Sequence, residues 1–367
     1  MTTVVLISDF NILGSGYKTI VVGIGMYLCG RGIDVKLLAA NDRGTEHNYP
    51  FSVIPVSGTS STDEIWGLLQ NMKADFGFDD VLILADMPVA HKIVDRCKGL
   101  NVSFSGLFPL EAPPLTPAWA TRLMSLKECF LMTKFGAEAL EQFHVHSTFI
   151  PIPVNTDIWA PIGETEREEI RNSVGLNGFT LLTVAENQER KNISCAAEIV
   201  SKLPNAKWVL VTRTSAQWGW NIPDLLRFYN IEERTLVIEK GMPESALKQL
   251  YQAADALLVT SKAEGLALPV LEAMACGLLV IAPFHTALGE HLGHDRGLTF
   301  SYAYQYLDPF GNQYRYFASV YDGVRACKFA MQMDQESRCT ITNKALEYVR
   351  SRSWNIVGET ICQKLGL

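Results

Sequence analysis

Paired cysteines are missing from this chain. Its eight cysteines are scattered with no C-x-x-C spacing, so neither a disulfide framework nor a zinc ribbon organises it, and the thiols read as reduced and mostly packed. No apolar run approaches the ~20 residues that cross a bilayer as a helix. Positive charge is also short, because 32 Lys and Arg against 39 Asp and Glu leave a net charge of −7. Neither half of the chain is basic, which removes the electrostatic footprint of a nucleic-acid binder and weakens the case for an anionic membrane partner. The segment Met1 to Ser8 has no basic residue ahead of its apolar run and reads as a strand, not a signal peptide. The expectation is a cytoplasmic protein, at most peripheral on a membrane.

What is present is a long alternation of two signals. Short aliphatic runs such as Val4–Ser8, Val35–Ala40, Val81–Ala85, Phe179–Val184 and Lys207–Thr212 read as buried strands, and helical patterns lie between them. Alternation of this kind gives a parallel sheet covered by helices on both faces. A chain of 367 residues exceeds the span of one core, so two such domains are expected. The fold class is α/β, with two Rossmann-like, doubly wound parallel-sheet domains. Ser301–Phe317 is aromatic and reads as an irregular insertion.

The most informative stretch runs from Ala254 to Pro283. Two aliphatic runs, Ala256–Thr260 and Leu278–Ala282, bracket a Gly-containing loop, Ser261–Ala267, and a helix with Pro269 in its first turn and Gly277 closing it. Ligands of open parallel sheets sit beyond the carboxyl ends of the strands, where this loop offers main-chain N–H groups and a positive helix end to an anion. Glu264 and Glu272, eight positions apart, stand before and inside the helix. An anion at the amides with a carboxylate on either side suits a diphosphate flanked by hydroxyl-rich groups, the layout of a nucleotide sugar. Solvated glutamates on an ordinary βαβ unit are the plainer reading of the same residues.

The run Glu264-Gly-Leu-Ala-Leu-Pro-Val-Leu-Glu272-Ala-Met-Ala-Cys-Gly277 resembles the Glu-x7-Glu motif of retaining glycosyltransferases of the GT-B fold, in the family usually numbered four. The resemblance implies two domains facing across a cleft, residues 1–155 on the acceptor side and 156–352 holding the donor. The proline-marked segment Phe149–Trp159 resembles the family's exit from the first domain, and the terminal helix, within 353–367, its crossover helix. The donor would be a UDP-, GDP- or ADP-linked sugar, and the acceptor a glycan, a lipid or a small molecule. Glu264 would contact the sugar, Glu272 the ribose, and the amides of Gly265, Leu266 and Ala267 the phosphates.

Ala185–Asn192 resembles the family's Gly-Arg-x4-Lys loop, whose two cations meet the diphosphate charge. Lys191 matches the lysine, Glu186 stands where the arginine is expected, and Arg190 is the candidate for the second cation. Neither a metal nor another cofactor is expected, and the absence of an Asp-x-Asp triplet agrees. Gly14 and Gly16 after the first strand are site candidates near the donor phosphates, a plain tight turn being the other reading. Glu111, in the proline-dense segment Phe108–Pro117, is the acceptor-side candidate, with His91 as a further possibility. His291, His294 and Asp295 read as a satisfied loop ahead of a metal site.

Three rivals remain open on the sequence. A nucleotide-sugar epimerase would act on the donor without an acceptor, and a glycan phosphorylase would need a pyridoxal-phosphate lysine that is not identified. A non-catalytic nucleotide-sugar binding protein would bind donor without turnover. A Rossmann dehydrogenase lacks its complete Gly-x-Gly-x-x-Gly.

Overall fold

Aliphatic runs of five to seven residues can bury both faces only inside a parallel sheet with helices on either side. A computed structural model of the chain describes residues 2–11, 16–44, 46–214, 216, 219–309 and 312–367. It divides into two units, Met1–Ile152 with Ser353–Leu367 and Pro153–Arg352.

The first unit contains, in order, β1 (Thr3–Asp9), α1 (Gly16–Gly30), β2 (Asp34–Ala40), β3 (Ser52–Val56), α2 (Thr62–Asp75), β4 (Asp80–Leu84), α3 (Met87–Arg96), β5 (Ser103–Phe108), α4 (Pro117–Leu123), β6 (Cys129–Leu131), α5 (Lys134–Glu141) and β7 (Thr148–Phe149). The strands form one sheet in the order β3-β2-β1-β4-β5-β6-β7, and each recorded pairing within it is parallel. The chain therefore starts in the middle of the sheet and winds outward twice, the doubly wound pattern.

The second unit repeats the plan with α6 (Glu164–Val174), β8 (Phe179–Val184), α7 (Ile193–Ser201), β9 (Ala206–Thr212), α8 (Ile222–Tyr229), β10 (Thr235–Glu239), α9 (Glu244–Ala253), β11 (Ala256–Leu258), α10 (Leu268–Ala275), β12 (Leu279–Pro283), α11 (Thr286–Leu292) and β13 (Leu298–Phe300). Its sheet order is β10-β9-β8-β11-β12-β13. Trp208 on β9 is wholly buried, and its indole N–H donates to Thr183 Oγ1 at 3.0 Å, so the largest core side chain carries a satisfied polar atom. After β13 come β14 (Tyr302–Asp308), β15 (Gln313–Ala318), α12 (Val320–Gln332) and α13 (Gln335–Arg350). The irregular insertion expected at Ser301–Phe317 is instead a regular antiparallel hairpin of β14 and β15. Alternation of period two is present in Tyr302, Tyr304 and Tyr306, but large side chains stand on both faces, which hides the usual apolar and polar rhythm.

The last helix, α14 (Trp354–Leu365), packs on α1 in the first unit. Two glycines make the contact reciprocal. A Cβ on Gly23 would overlap the Trp354 ring, and one on Gly358 would overlap the Tyr27 ring. No helix among the described residues is long and apolar enough to cross a membrane. We expect Gly358→Ala to lower the stability of the chain by about 1–3 kcal/mol through overpacking, measured by urea unfolding. Gly30→Ala, where nothing lies within 4 Å of the added carbon, is the control and should change stability by less than about 0.5 kcal/mol.

Candidate functional site

In the second unit, the loops leaving β8, β11 and β12 meet at the carboxyl edge of the sheet, and the Glu264 carboxylate lies where they touch. It is buried, and it accepts from Lys191 Nζ at 2.6 Å and from Arg190 Nη1 at 3.1 Å. The same Arg190 nitrogen donates to the Ala263 carbonyl at 2.6 Å, and the Lys262 N–H donates to the Arg190 carbonyl at 2.8 Å. Burial alone would raise the Glu264 pKa. The charges of Lys191 and Arg190, with hydrogen bonds from Lys191 and Ser261, outweigh it and hold the carboxyl at about 2. Glu264 is therefore ionised across the physiological range, with two cations facing it.

Immediately after Glu264 the backbone turns into α10. Among the described residues, the N–H groups of Gly265, Leu266 and Ala267 donate to no other protein group, so the loop presents three amides and a helix N-terminus, the arrangement that holds phosphate. The turn is strained, since Ala267 has φ 59° in the left-handed region that a Cβ disfavours. Asn192 (φ 54°) and Thr286 (φ 47°) occupy the same region where the neighbouring loops enter α7 and α11. Each is held from outside. Thr260 Oγ1 donates to the Asn192 carbonyl at 3.0 Å, the Glu264 N–H donates to Thr286 Oγ1 at 3.2 Å, and His291 Nε2 bonds the Leu266 carbonyl at 2.6 Å. Burial first, then the charge of Arg352, push the His291 pKa down to about 3. The ring is therefore neutral, and Nε2 carries its proton because a carbonyl can only accept.

Glu272, half-buried on α10, has different neighbours. Its Oε2 accepts from Tyr251 Oη at 2.8 Å, and its pKa is raised to about 7, first by burial and further by the charge of Glu244, against the Tyr251 hydrogen bond and the charge of Lys240. The Tyr251 ring packs edge-on against Trp159, with centroids 5.4 Å apart, and the next residue, Gln252, donates to the Ala160 carbonyl at 2.7 Å.

Glu186, where the resemblance calls for an arginine, gathers cations instead. It accepts from Arg213 Nε and from Lys240 Nζ, each at 2.6 Å. Burial opposes its ionisation, but these two cations win and lower its pKa. The three groups follow β8, β9 and β10, adjacent strands of the sheet, so positive charge is restored beside the site by a route the Gly-Arg-x4-Lys pattern does not contain.

The structure thus brings together Glu264, Lys191, Arg190 and the Gly265–Ala267 amides, with Glu272 on the helix that follows. Gly16 opens α1 after β1, and Glu111 lies in the loop after β5, both in the first unit. Gly14 lies outside the described residues. His91 Nε2 lies 2.7 Å from an Asp95 carboxylate oxygen within α3. Sequence reasoning missed Tyr251, Thr286 and the part His291 plays in fixing the loop. The histidine was visible only as one of three in a short segment, and nothing in the pattern marked the tyrosine. Among the described residues, no group of three or more His, Cys, Asp or Glu side chains is placed to hold a metal ion.

Residues 166–299 match the family described as Glycosyl transferases group 1. Over 134 residues the chain is 26% identical to alpha-galactosylglucosyldiacylglycerol synthase of Streptococcus pneumoniae, a match that spans 35% of each protein. Sucrose-phosphate synthase from Thermosynechococcus elongatus superposes with a TM-score of 0.82 at 17% identity, covering 99% of this chain and 98% of that one. Anabaena Alr3699/HepE, solved in complex with UDP and glucose, gives 0.76 at 14% identity, covering 100% of both chains. The fold is that of GT-B glycosyltransferases, and the family match lies wholly in the second unit.

Two carboxylates on one loop and helix are expected to titrate far apart. In carboxyl ¹³C NMR between pH 5.5 and 8.5, Glu264 should stay ionised throughout and Glu272 should titrate near 7. Tyr251→Phe removes a bond to the ionised form, so the Glu272 midpoint should rise. A midpoint that stays in place would contradict the pairing.

Proposed function

We propose that this chain is a retaining, metal-independent hexosyltransferase that moves a sugar from a nucleoside diphosphate to a hydroxyl acceptor. The observation that carries the reading is the buried Glu264 held by Lys191 and Arg190 beside three open amides at a helix N-terminus. Hydroxyls of the donor sugar would bond the ionised Glu264, and those of the ribose would bond Glu272. The amides of Gly265, Leu266 and Ala267, with Lys191 and Arg190, would meet the diphosphate charge as the bond from the anomeric carbon to the phosphate oxygen breaks. The new bond forms on the same face, and the acceptor proton passes to the departing phosphate oxygen, so no carboxylate nucleophile is required. The work assigned to the protein is positioning and charge stabilisation. The cation cluster takes the part a divalent ion would otherwise play, which is the ground for metal independence.

UDP is the first base to test, because Anabaena Alr3699/HepE is solved with it; GDP- and ADP-sugars complete the set. The name of the streptococcal relative, a glycolipid synthase, keeps a lipid among the acceptor classes, beside glycans and small molecules, for a cytoplasmic enzyme that can work at a membrane surface.

Thermal-shift titration with UDP-, GDP- and ADP-glucose should single out one base. With that donor, Lys191→Ala and Arg190→Ala should each lower kcat/KM by about 100-fold or more, as removal of a transition-state donor does, and Glu264→Ala should abolish transfer. An unchanged rate for either cation variant removes that residue from the clamp. Activity that survives EDTA is expected, and activity restored only by a divalent ion would overturn metal independence. Tight donor binding without turnover in any acceptor pool would leave a binding protein.

A further inference from the structure

The hairpin of β14 and β15 stands apart from both parallel sheets. It begins where β13 ends, at the carboxyl edge that carries the candidate site, and its outer strand is exposed from Tyr302 to Leu307. Tyr304, Tyr306 and Leu307 are 57%, 37% and 50% exposed, a concentration of large side chains in water that folding alone does not call for. The rings are nonetheless fixed. Tyr304 stacks on Phe317 at 4.5 Å and 12°, and Tyr306 leans on the same ring at 5.5 Å. Phe317 in turn lies under the Lys262 ammonium, 4.1 Å from its centroid.

Through Lys262 the hairpin is joined to the loop that carries Glu264. The Tyr316 N–H donates to the Lys262 carbonyl at 2.8 Å, and the Tyr316 ring stacks on His285, the residue before Thr286, at 4.7 Å. The exposed ladder is thus continuous with the site.

Its chemistry narrows the occupant. The charged side chains of the two strands, Asp308 and Arg315, pair with each other at 2.9 Å, and Lys262 beside Phe317 pairs with Glu189, so the surface carries no excess of positive charge to attract nucleic acid or anionic lipid. The register shift between Tyr302 and Tyr304 breaks the outer edge and disfavours strand pairing with a second copy. What remains is a rigid row of rings edged by phenol hydroxyls. Such a row fits a ligand with apolar C–H faces and a hydroxyl rim, since pre-ordered tyrosines give amphipathic contact at little entropic cost.

We infer that the hairpin is a docking platform for a neutral oligosaccharide, which makes a growing glycan the acceptor class. The inference rests on the donor reading for its meaning in catalysis, but the platform can be tested without turnover. Isothermal titration of the full chain with maltohexaose and cellohexaose, with UDP present, should detect binding of at least one of them. The double variant Tyr304→Ala, Tyr306→Ala should weaken it about tenfold or more through the loss of two ring contacts, and Tyr304→Phe, which keeps the ring, should bind nearly as the wild type does. UDP affinity should be equal in all three proteins, a check that the Lys262 loop is intact.

The platform is overturned if neither hexasaccharide binds the wild type, or if binding ignores the loss of the rings. It is also overturned if the rings are needed instead for cosedimentation with phosphatidylcholine–phosphatidylglycerol vesicles, or for a dimer seen by light scattering. Failure of the wild type to bind any nucleoside diphosphate sugar would remove the donor reading, and the oligosaccharide titration would still decide the platform.

Discussion

The arrangement depends on one buried carboxylate. Glu264 is held out of water between Lys191 and Arg190, and an ionised group in that position is tolerable only while both cations stay. The cations come from the loop after β8 and the carboxylate from the loop after β11. These are adjacent strands in the sheet, so the ion cluster ties two crossover connections together at their tips. The main chain is drawn in with it, through the Arg190 guanidinium on the Ala263 carbonyl and the Lys262 N–H on the Arg190 carbonyl. With the cluster in place, the three residues after Glu264 can leave their amides open.

Around that cluster the backbone is strained in a consistent way. Asn192, Ala267 and Thr286 each take a left-handed conformation where a loop enters a helix, at a cost of order 1–3 kcal/mol apiece. The groups that hold these turns, Thr260 and the Glu264 amide on the loop after β11 and His291 on α11, belong to neighbouring elements. The turn at Ala267 therefore depends on α11 and the turn at Thr286 on the Glu264 loop, and the edge of the sheet behaves as one interlocked surface. A phosphate ligand would profit from this rigidity, because the amides would need no reordering on its arrival.

Charge is spread over the same edge in two groups. Lys191, Arg190 and Glu264 make one, and Arg213, Lys240 and Glu186 the other. Each sets two cations against one carboxylate, in a chain whose total charge is −7. Concentrating positive charge at one edge of an acidic protein favours an anionic ligand there without making the whole molecule sticky toward polyanions.

That each unit is a doubly wound parallel sheet was legible in the sequence, because aliphatic runs flanked by turns and separated by helices admit few other arrangements. Glu264, Lys191 and the Gly265–Ala267 amides were legible for the same reason: their place on a loop between a strand and a helix fixes them at the carboxyl edge. The pairings were not. Lys191 and Glu264 are 73 positions apart, Lys240 and Glu186 are 54 apart, and Tyr251 and Glu272 are 21 apart. Whether such groups meet is decided by which strands become neighbours and how each loop bends, and no local pattern encodes that. The left-handed turn at Ala267 and the hairpin at Tyr302–Ala318 belong with them. The first runs against the preference of alanine, and the second lacks the apolar and polar alternation by which a strand is recognised, so both take their form from the neighbours they pack against.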